Sequence, residues 1–318
     1  MKRSRLIHCW LAIPAAFSVL AGCLPATSTR VSPTAILTSR NTAIPTATST
    51  SANTVEPTHI AFETSLRQSD GMVMVDIPAG KFMMGSEEGE ADEGPVHEVD
   101  LDAFWMDQTE VTNAMYALCV GSDSCMSPIE TGSYTRANYY GNDKYADYPV
   151  IFVDWSMANA YCAWAGARLP AEAEWEKAAR GEDGRVYPWG NDWDVQTHKR
   201  LNFADRNNPE TTSDVSADDG YGDTAPVRSY EAGKSPYDIY DLAGNVWEWV
   251  ADWYDPLYYR DSPLNNPLGP LESTQETPMR VLRGGSWVAA NQDVFHTSNR
   301  NGLEPAKFSS SIGFRCAR

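Results

Sequence analysis

The chain has 318 residues, 42% of them hydrophobic, with 11 tryptophans and 15 tyrosines. That is enough apolar surface for one sizeable core. Its formal charge of −18 repels nucleic acid and anionic lipid, which excludes a nucleic-acid-binding role and suits metal cations or basic ligands.

Lys2, Arg3 and Arg5 open the chain, and Leu6 to Gly22 is mostly apolar but short for a membrane span. The run ends Leu20-Ala21-Gly22-Cys23, which is similar to a bacterial lipoprotein signal. That likeness implies a signal peptide over 1–22, cleavage before Cys23 and lipidation of Cys23. An ordinary secretory signal with a chance cysteine is the plainer reading, and small residues directly before the cysteine favour the lipoprotein. Cleavage takes the charge from −18 to −21. Residues 23–70 are rich in Thr, Ser, Pro and Ala. Too few large apolar side chains are present to offset ordering entropy, so the composition predicts a disordered tether. A single folded domain is expected over 71–318, anchored to a membrane and extracytoplasmic, at the cell surface or in a periplasm.

Along that domain, Met72 to Met84 alternates and turns at Pro78-Ala79-Gly80, predicting a two-stranded hairpin. The loop Ser86 to Pro95 carries Glu87, Glu88, Glu90, Asp92 and Glu93, which reads as a solvated loop rather than a metal site. Val96 to Met106 reads as one further strand. Thr109 or Thr112 can cap a helix through about Leu118, and Ser156 a second that Gly166 ends. A third runs from about Ala171 to Arg180, acidic early and basic late, in the order the helix dipole favours. Residues 182–238 lose periodicity and are rich in Gly, Pro, Asn and Asp. So long an irregular stretch calls for an ordering device, and bound metal supplies one. Val281–Leu282 and Phe314–Cys316 read as closing strands. No second domain and no internal repeat is visible.

Once Cys23 is acylated, Cys119, Cys125, Cys162 and Cys316 remain. An oxidising compartment permits two disulfides. Cys119 with Cys125 would staple a loop, and Cys162 with Cys316 would tie the middle of the domain to its end. Sequence alone leaves the other pairings open.

Several strings occur in a fixed order: PAGKFMMGS at 78–86, DQTEVTNAMY at 107–116, YPVIFVDWSMANAYCAWAGARLPAEAEWEKAARG at 148–181, YPWGN at 187–191, DLAGNVWEW at 241–249, RVLRGGSW at 280–287 and a closing GFRC. Together they resemble the sulfatase-modifying-factor family, founded on the formylglycine-generating enzymes, over essentially all of 72–318. The resemblance implies an α+β fold: a single domain related to C-type lectins, with little regular secondary structure.

The resemblance also implies two calcium sites. One falls on Asn202, Phe203, Asp219 and Tyr221, the other on Asp241, Gly244, Val246 and Glu248. The residues of the second agree independently, because calcium takes several hard oxygens and Asp241 and Glu248 bracket a glycine turn that brings carbonyls inward. The competing reading makes Gly244-Asn245 a plain turn between core tryptophans. In the oxidising members two cysteines bind copper and convert a substrate cysteine in a Cys-x-Pro-x-Arg context to formylglycine with oxygen. Here those positions fall on Ala289 and near Val294. Alanine and valine offer no soft ligand for Cu(I), so copper is not expected. A further family disulfide is missing, its positions corresponding to Ala179 and about Asn299, whereas Cys162 and Cys316 match a structural one. Iron-using relatives take histidines from a partner domain. The five here, His8, His59, His97, His198 and His296, lack metal-ligand spacing.

His296 lies in the segment that lines the family cleft, near Trp287, Asn291, Gln292, Asp293, Ser298, Asn299 and Arg300. That cluster reads equally as a ligand site or a solvated loop. Trp155, Trp164, Trp175, Trp247 and Trp249 read as core. Trp189, Trp193, Trp253 and Trp287 stand in loop-like contexts, though core packing is the safer expectation for each. Three functional classes stand: a non-oxidase binding or accessory module for a protein, peptide or glycan at the cell surface; a formylglycine-generating or related oxidase acting on a protein; and a different reaction on the same scaffold. Fold alone does not choose among them.

Overall fold

The computed structural model of the chain describes residues 62–209 and 213–318. The expected signal peptide, Cys23 and most of the tether lie outside them.

The first sheet has the order β1-β2-β5, joining β1 (Thr64–Leu66), β2 (Val73–Ile77) and β5 (Phe104–Asp107), all antiparallel. The folded unit therefore begins upstream of residue 71, since Thr64 pairs with Val75 and Leu66 with Val73. β3 (Gly80–Met84) pairs not with β2 but with β4 (His97–Leu101). The expected 72–84 hairpin is thus two strands in two sheets, because the turn at Pro78 redirects the chain instead of folding it back. The segment 96–106 likewise divides into β4 and β5. Alternation reports which face of a strand is buried, and it does not identify the neighbour that supplies the hydrogen bonds.

α1 (Asn113–Gly121) starts at Thr112, whose side chain accepts the Met115 N–H at 3.3 Å. α2 (Trp155–Trp164) is capped by Asp154, one residue before the helix and not by Ser156; its Oδ1 accepts the Met157 N–H at 2.8 Å. The α2 face of Met157, Ala158, Tyr161 and Cys162 is buried. α3 (Glu172–Arg180) is buried along its whole length, charged residues included. Its acid-to-base order suits the dipole, but the same side chains are also bound in the interior. Lys177 Nζ donates to Pro78 O and Gly80 O, both at 2.8 Å, and so pins the turn between β2 and β3.

The last sheet has the order β8-β7-β6-β9, from β6 (Trp247–Trp253), β7 (Arg280–Arg283), β8 (Arg300–Leu303) and β9 (Ile312–Phe314). β6 runs parallel to β9 and antiparallel to β7. The closing strands fall close to where the sequence placed them, and the tryptophan run 247–253 is itself the central strand between them. Both disulfides pair as the spacing favoured, Cys119–Cys125 and Cys162–Cys316 with Cα atoms 5.3 and 5.6 Å apart, and the second ties α2 to the chain end. Trp175 and Trp249 are fully buried, Trp287 joins them, and Trp155, Trp164 and Trp247 edge the core.

Between α3 and β6 the chain has little regular structure, as expected. Its own side chains order much of it. Asp205, Asp214, Asp219 and Asp223 all accept backbone N–H groups within the stretch, replacing the ladder bonds that loop backbone lacks.

Candidate functional site

The GNVWEW turn is buried, with Asn245, Val246, Glu248 and Trp249 all at 0–1% exposure. Gly244 has φ +80°, and a Cβ there would lie 2.3 Å from Asn202 O. A side chain is excluded both by the left-handed backbone and by the approach of the 202 segment. Asn245, also left-handed, joins the two. Its N–H donates to Asn202 O at 2.9 Å, its Oδ1 accepts from Asn202 Nδ2 and the Ala225 N–H, and its Nδ2 donates to Glu110 Oε1 at 2.9 Å. Sequence reasoning missed Asn245 and Glu110. Tolerance of φ > 0 marks Asn245 within its motif, but nothing local marks Glu110.

The four residues expected at the first calcium site are brought together. Asp219 Oδ2 accepts the Phe203 N–H at 2.9 Å and its Oδ1 the Tyr221 N–H at 2.7 Å. Burial pushes the Asp219 carboxyl up to about 7, against the pull of those two N–H bonds. Asn202 Oδ1 is buried without a hydrogen-bond partner. An orphaned amide oxygen beside a desolvated carboxylate fits a hard cation. Asp205, whose carboxylate accepts the Asp219 N–H, extends the set.

The second expected site is mixed. Asp241 Oδ2 accepts the Arg228 N–H at 2.8 Å, and its carboxyl lies close enough to Glu110 for each to perturb the other. Burial raises Asp241 to about 6. Burial first, then the charge of Asp241, pushes Glu110 well above the usual carboxylate range. Glu110 Oε2 has no partner. Glu248 differs: both its oxygens are taken by Arg315, at 2.6 and 2.7 Å, and Oε2 also accepts Trp175 Nε1–H at 2.7 Å. Two crowded carboxyls with one orphaned oxygen at Asp241 and Glu110 are the polar groups there that a cation could use; no group of three or more His, Cys, Asp or Glu side chains suited to a metal occurs among the described residues, and the Glu248 side chain is already committed to Arg315.

The four residues expected in one ligand cleft are not brought to one surface. Trp287 is 1% exposed and Arg300 3%. Arg300 grips Glu172 through Nε at 2.8 Å and Nη2 at 2.7 Å, a two-pronged pairing that a solvated position would not match. Trp287 donates its indole N–H to Ser310 O at 3.1 Å, a part-buried bond. Asn291 and His296 do meet. With Glu88, Glu90, Glu93 and Asp293 they line a cavity of about 210 Å³, and His296 also lines a neighbouring one of about 300 Å³ beside Glu87, Arg180 and Ser298. His296 Nε2 lies 3.3 Å from Tyr187 Oη. The acidic loop is solvated only in its first half. Glu93 is 1% exposed and its Oε1 accepts from Asn299 Nδ2 at 3.3 Å, while Asp92 Oδ2 accepts from Tyr254 Oη at 2.6 Å.

Ala289 is half-buried against the aromatic cluster of Tyr187, Trp189, Trp193, Phe203 and Phe295. Val294 lies in the 3₁₀ turn Gln292–Phe295 on the cavity wall. Ala179 is core, and Asn299 is bonded to Glu93. All four cysteines among the described residues are paired in the two disulfides.

This arrangement, an α+β scaffold of short strands around a long carboxylate-tied loop and a GNVWEW turn, is the C-type-lectin-like fold of formylglycine-generating enzymes. The family profile described as a Sulfatase-modifying factor enzyme 1-like domain matches residues 60–318, and the chain belongs to that family. It is 36% identical over 285 residues to a formylglycine-generating enzyme of Streptomyces coelicolor, covering 76% of this chain and 88% of that one. It is 37% identical over 261 residues to the serine/threonine-protein kinase pkn1 of Chlamydia caviae, covering 77% of this chain but only 38% of the kinase. The solved structure of PvdO from Pseudomonas aeruginosa superposes with a TM-score of 0.65 at 26% identity, covering 81% of this chain and 98% of that one.

Proposed function

We propose that this formylglycine-generating-enzyme-like domain is a binding or accessory module rather than a copper oxidase, tethered outside the cytoplasm by lipid on Cys23. The observation that carries the reading is the state of its sulfur. The positions where the oxidising relatives carry cysteines fall, by the family resemblance, on Ala289 and near Val294, and the remaining cysteines of the domain are locked in disulfides, with Cys162 and Cys316 at 0% exposure. A soft cation such as Cu(I) needs thiolate, and carboxylate-lined cavities do not replace it. The acidic cleft between residues 86–95 and 291–298 suits a protein, peptide or glycan bearing a basic or hydrogen-bonding group. Calcium at the 202–221 site, and at Asp241 with Glu110, would hold the irregular loop in place. Two disulfides accord with an extracytoplasmic location.

The deciding experiment offers the purified protein a Cys-x-Pro-x-Arg peptide with added Cu(I) and oxygen, read by mass spectrometry. No formylglycine is expected; turnover comparable with an authentic oxidase returns the chain to the enzymes. For the anchor, Cys23→Ala should move the protein from the membrane to the soluble fraction, and lipid labelling that persists in the variant would refute lipidation there.

A further inference from the structure

Away from the acidic cleft, a second cavity of about 340 Å³ opens between the start of β2, the segment leading into α1 and the 226–228 segment. It falls at the small end of the range for ligand pockets. Met72, Val73, Met115 and Val227 give it an apolar wall, and Asp147 and Arg228 also line it. The two chain segments that carry these charges are joined directly, the Val227 N–H donating to Asp147 O at 2.9 Å. Yet no ion pair within 4.0 Å forms between them or from either one elsewhere among the described residues, although the charge of Arg228 also reaches Glu231. The Arg228 guanidinium rests 5.1 Å from the centre of the Tyr240 ring instead. Arg228 also holds φ +67°, a backbone state that costs a non-glycine residue energy and clusters at functional positions. Its N–H is fixed by Asp241 Oδ2 at 2.8 Å, which holds the strained residue at the cavity wall.

A cavity lined by Met72, Val73, Met115 and Val227 together with the polar Gln108, Thr109 and Thr112, and carrying one anion and one cation with no ion pair between them, complements a zwitterion with an apolar body. We propose that this cavity binds a free α-amino acid with an apolar side chain: its carboxylate on Arg228, its ammonium on Asp147 and its side chain against Met72 and Met115. Guanidinium–carboxylate pairing supplies direction, and the unpaired charges avoid the cost of first breaking an internal salt bridge.

Isothermal titration of the full chain with L-leucine tests this, alongside 3-methylbutylamine, which lacks the carboxylate, and 4-methylpentanoate, which lacks the amine. Leucine should bind, and each analogue should bind at least about tenfold more weakly, the loss expected for one charge-assisted contact. Arg228→Asn keeps a residue that tolerates left-handed backbone and should abolish leucine binding. The analogue comparison on the unmodified protein stands whether or not that variant folds. Absence of binding by both L-leucine and L-methionine at millimolar concentration overturns the proposal, as does equal affinity for leucine and its two analogues. Neither result bears on the acidic cleft, which shares no wall with this cavity.

Discussion

Removing the Cys162–Cys316 bridge should cost far more stability than removing Cys119–Cys125, although the two look alike locally. The first joins residues 154 apart in sequence and the second residues 6 apart. A crosslink restricts the unfolded chain by an entropy that grows with the logarithm of the loop it closes. In that account the long bridge contributes about 5 kcal/mol and the short one about 2 kcal/mol at 25 °C. For a domain of this size, roughly 2–4 °C of melting temperature per kcal/mol puts the losses at about 10–20 °C and about 4–8 °C. The assay is equilibrium unfolding in urea of Cys162→Ala/Cys316→Ala and Cys119→Ala/Cys125→Ala, with the denaturant slope checked for a more expanded unfolded state. Cys162 and Cys316 are fully buried, so the first variant also loses packing. Wild-type protein fully reduced under denaturant keeps its sulfur volume and separates the two effects. Equal losses, or the reverse order, would refute the chain-entropy reasoning.

Two further outcomes are expected. Burial, then the charge of Glu172, pushes the Asp252 carboxyl up to about 8. The folded state thus holds this proton more tightly than the unfolded chain does, so its stabilising contribution is full below the ordinary carboxylate range and is lost as pH rises toward 8. Asp252→Asn should flatten that decline, its side-chain oxygen still able to accept the Glu172 N–H now bound at 2.8 Å; melting curves between pH 5 and 8 that keep the wild-type slope would disprove the assignment. Exhaustive chelation should lower the melting temperature, because a cation held only by the folded form adds about 2.7 kcal/mol per site at a hundredfold excess over its Kd. An unchanged curve counts against both calcium sites.

The family and the mixed fold were legible in order and spacing, because long motifs such as DLAGNVWEW carry turn, strand and core positions together; spacing favoured the two disulfides that form but left the other pairings open. The capped start of α1, narrowed to Thr109 or Thr112, the acidic start of α3 and the closing strands were legible for the same reason: each depends on residues within a turn or two of one another. Other features were not. Whether β2 pairs with β3 or with β1 and β5 depends on which chain arrives at its edge, and alternation looks the same in either case. Arg300 read as a cleft residue until Glu172, 128 positions away, was seen to hold it. Trp287, named as a possible cleft residue although core packing was the safer expectation for it, is 1% exposed, so burial decided between the two. The Asn245–Glu110 bond spans 135 positions. Charge and polarity in a sequence establish that a side chain needs a partner; only the folded chain decides whether that partner is water or a residue a hundred positions away, because desolvation is settled by what packs on top.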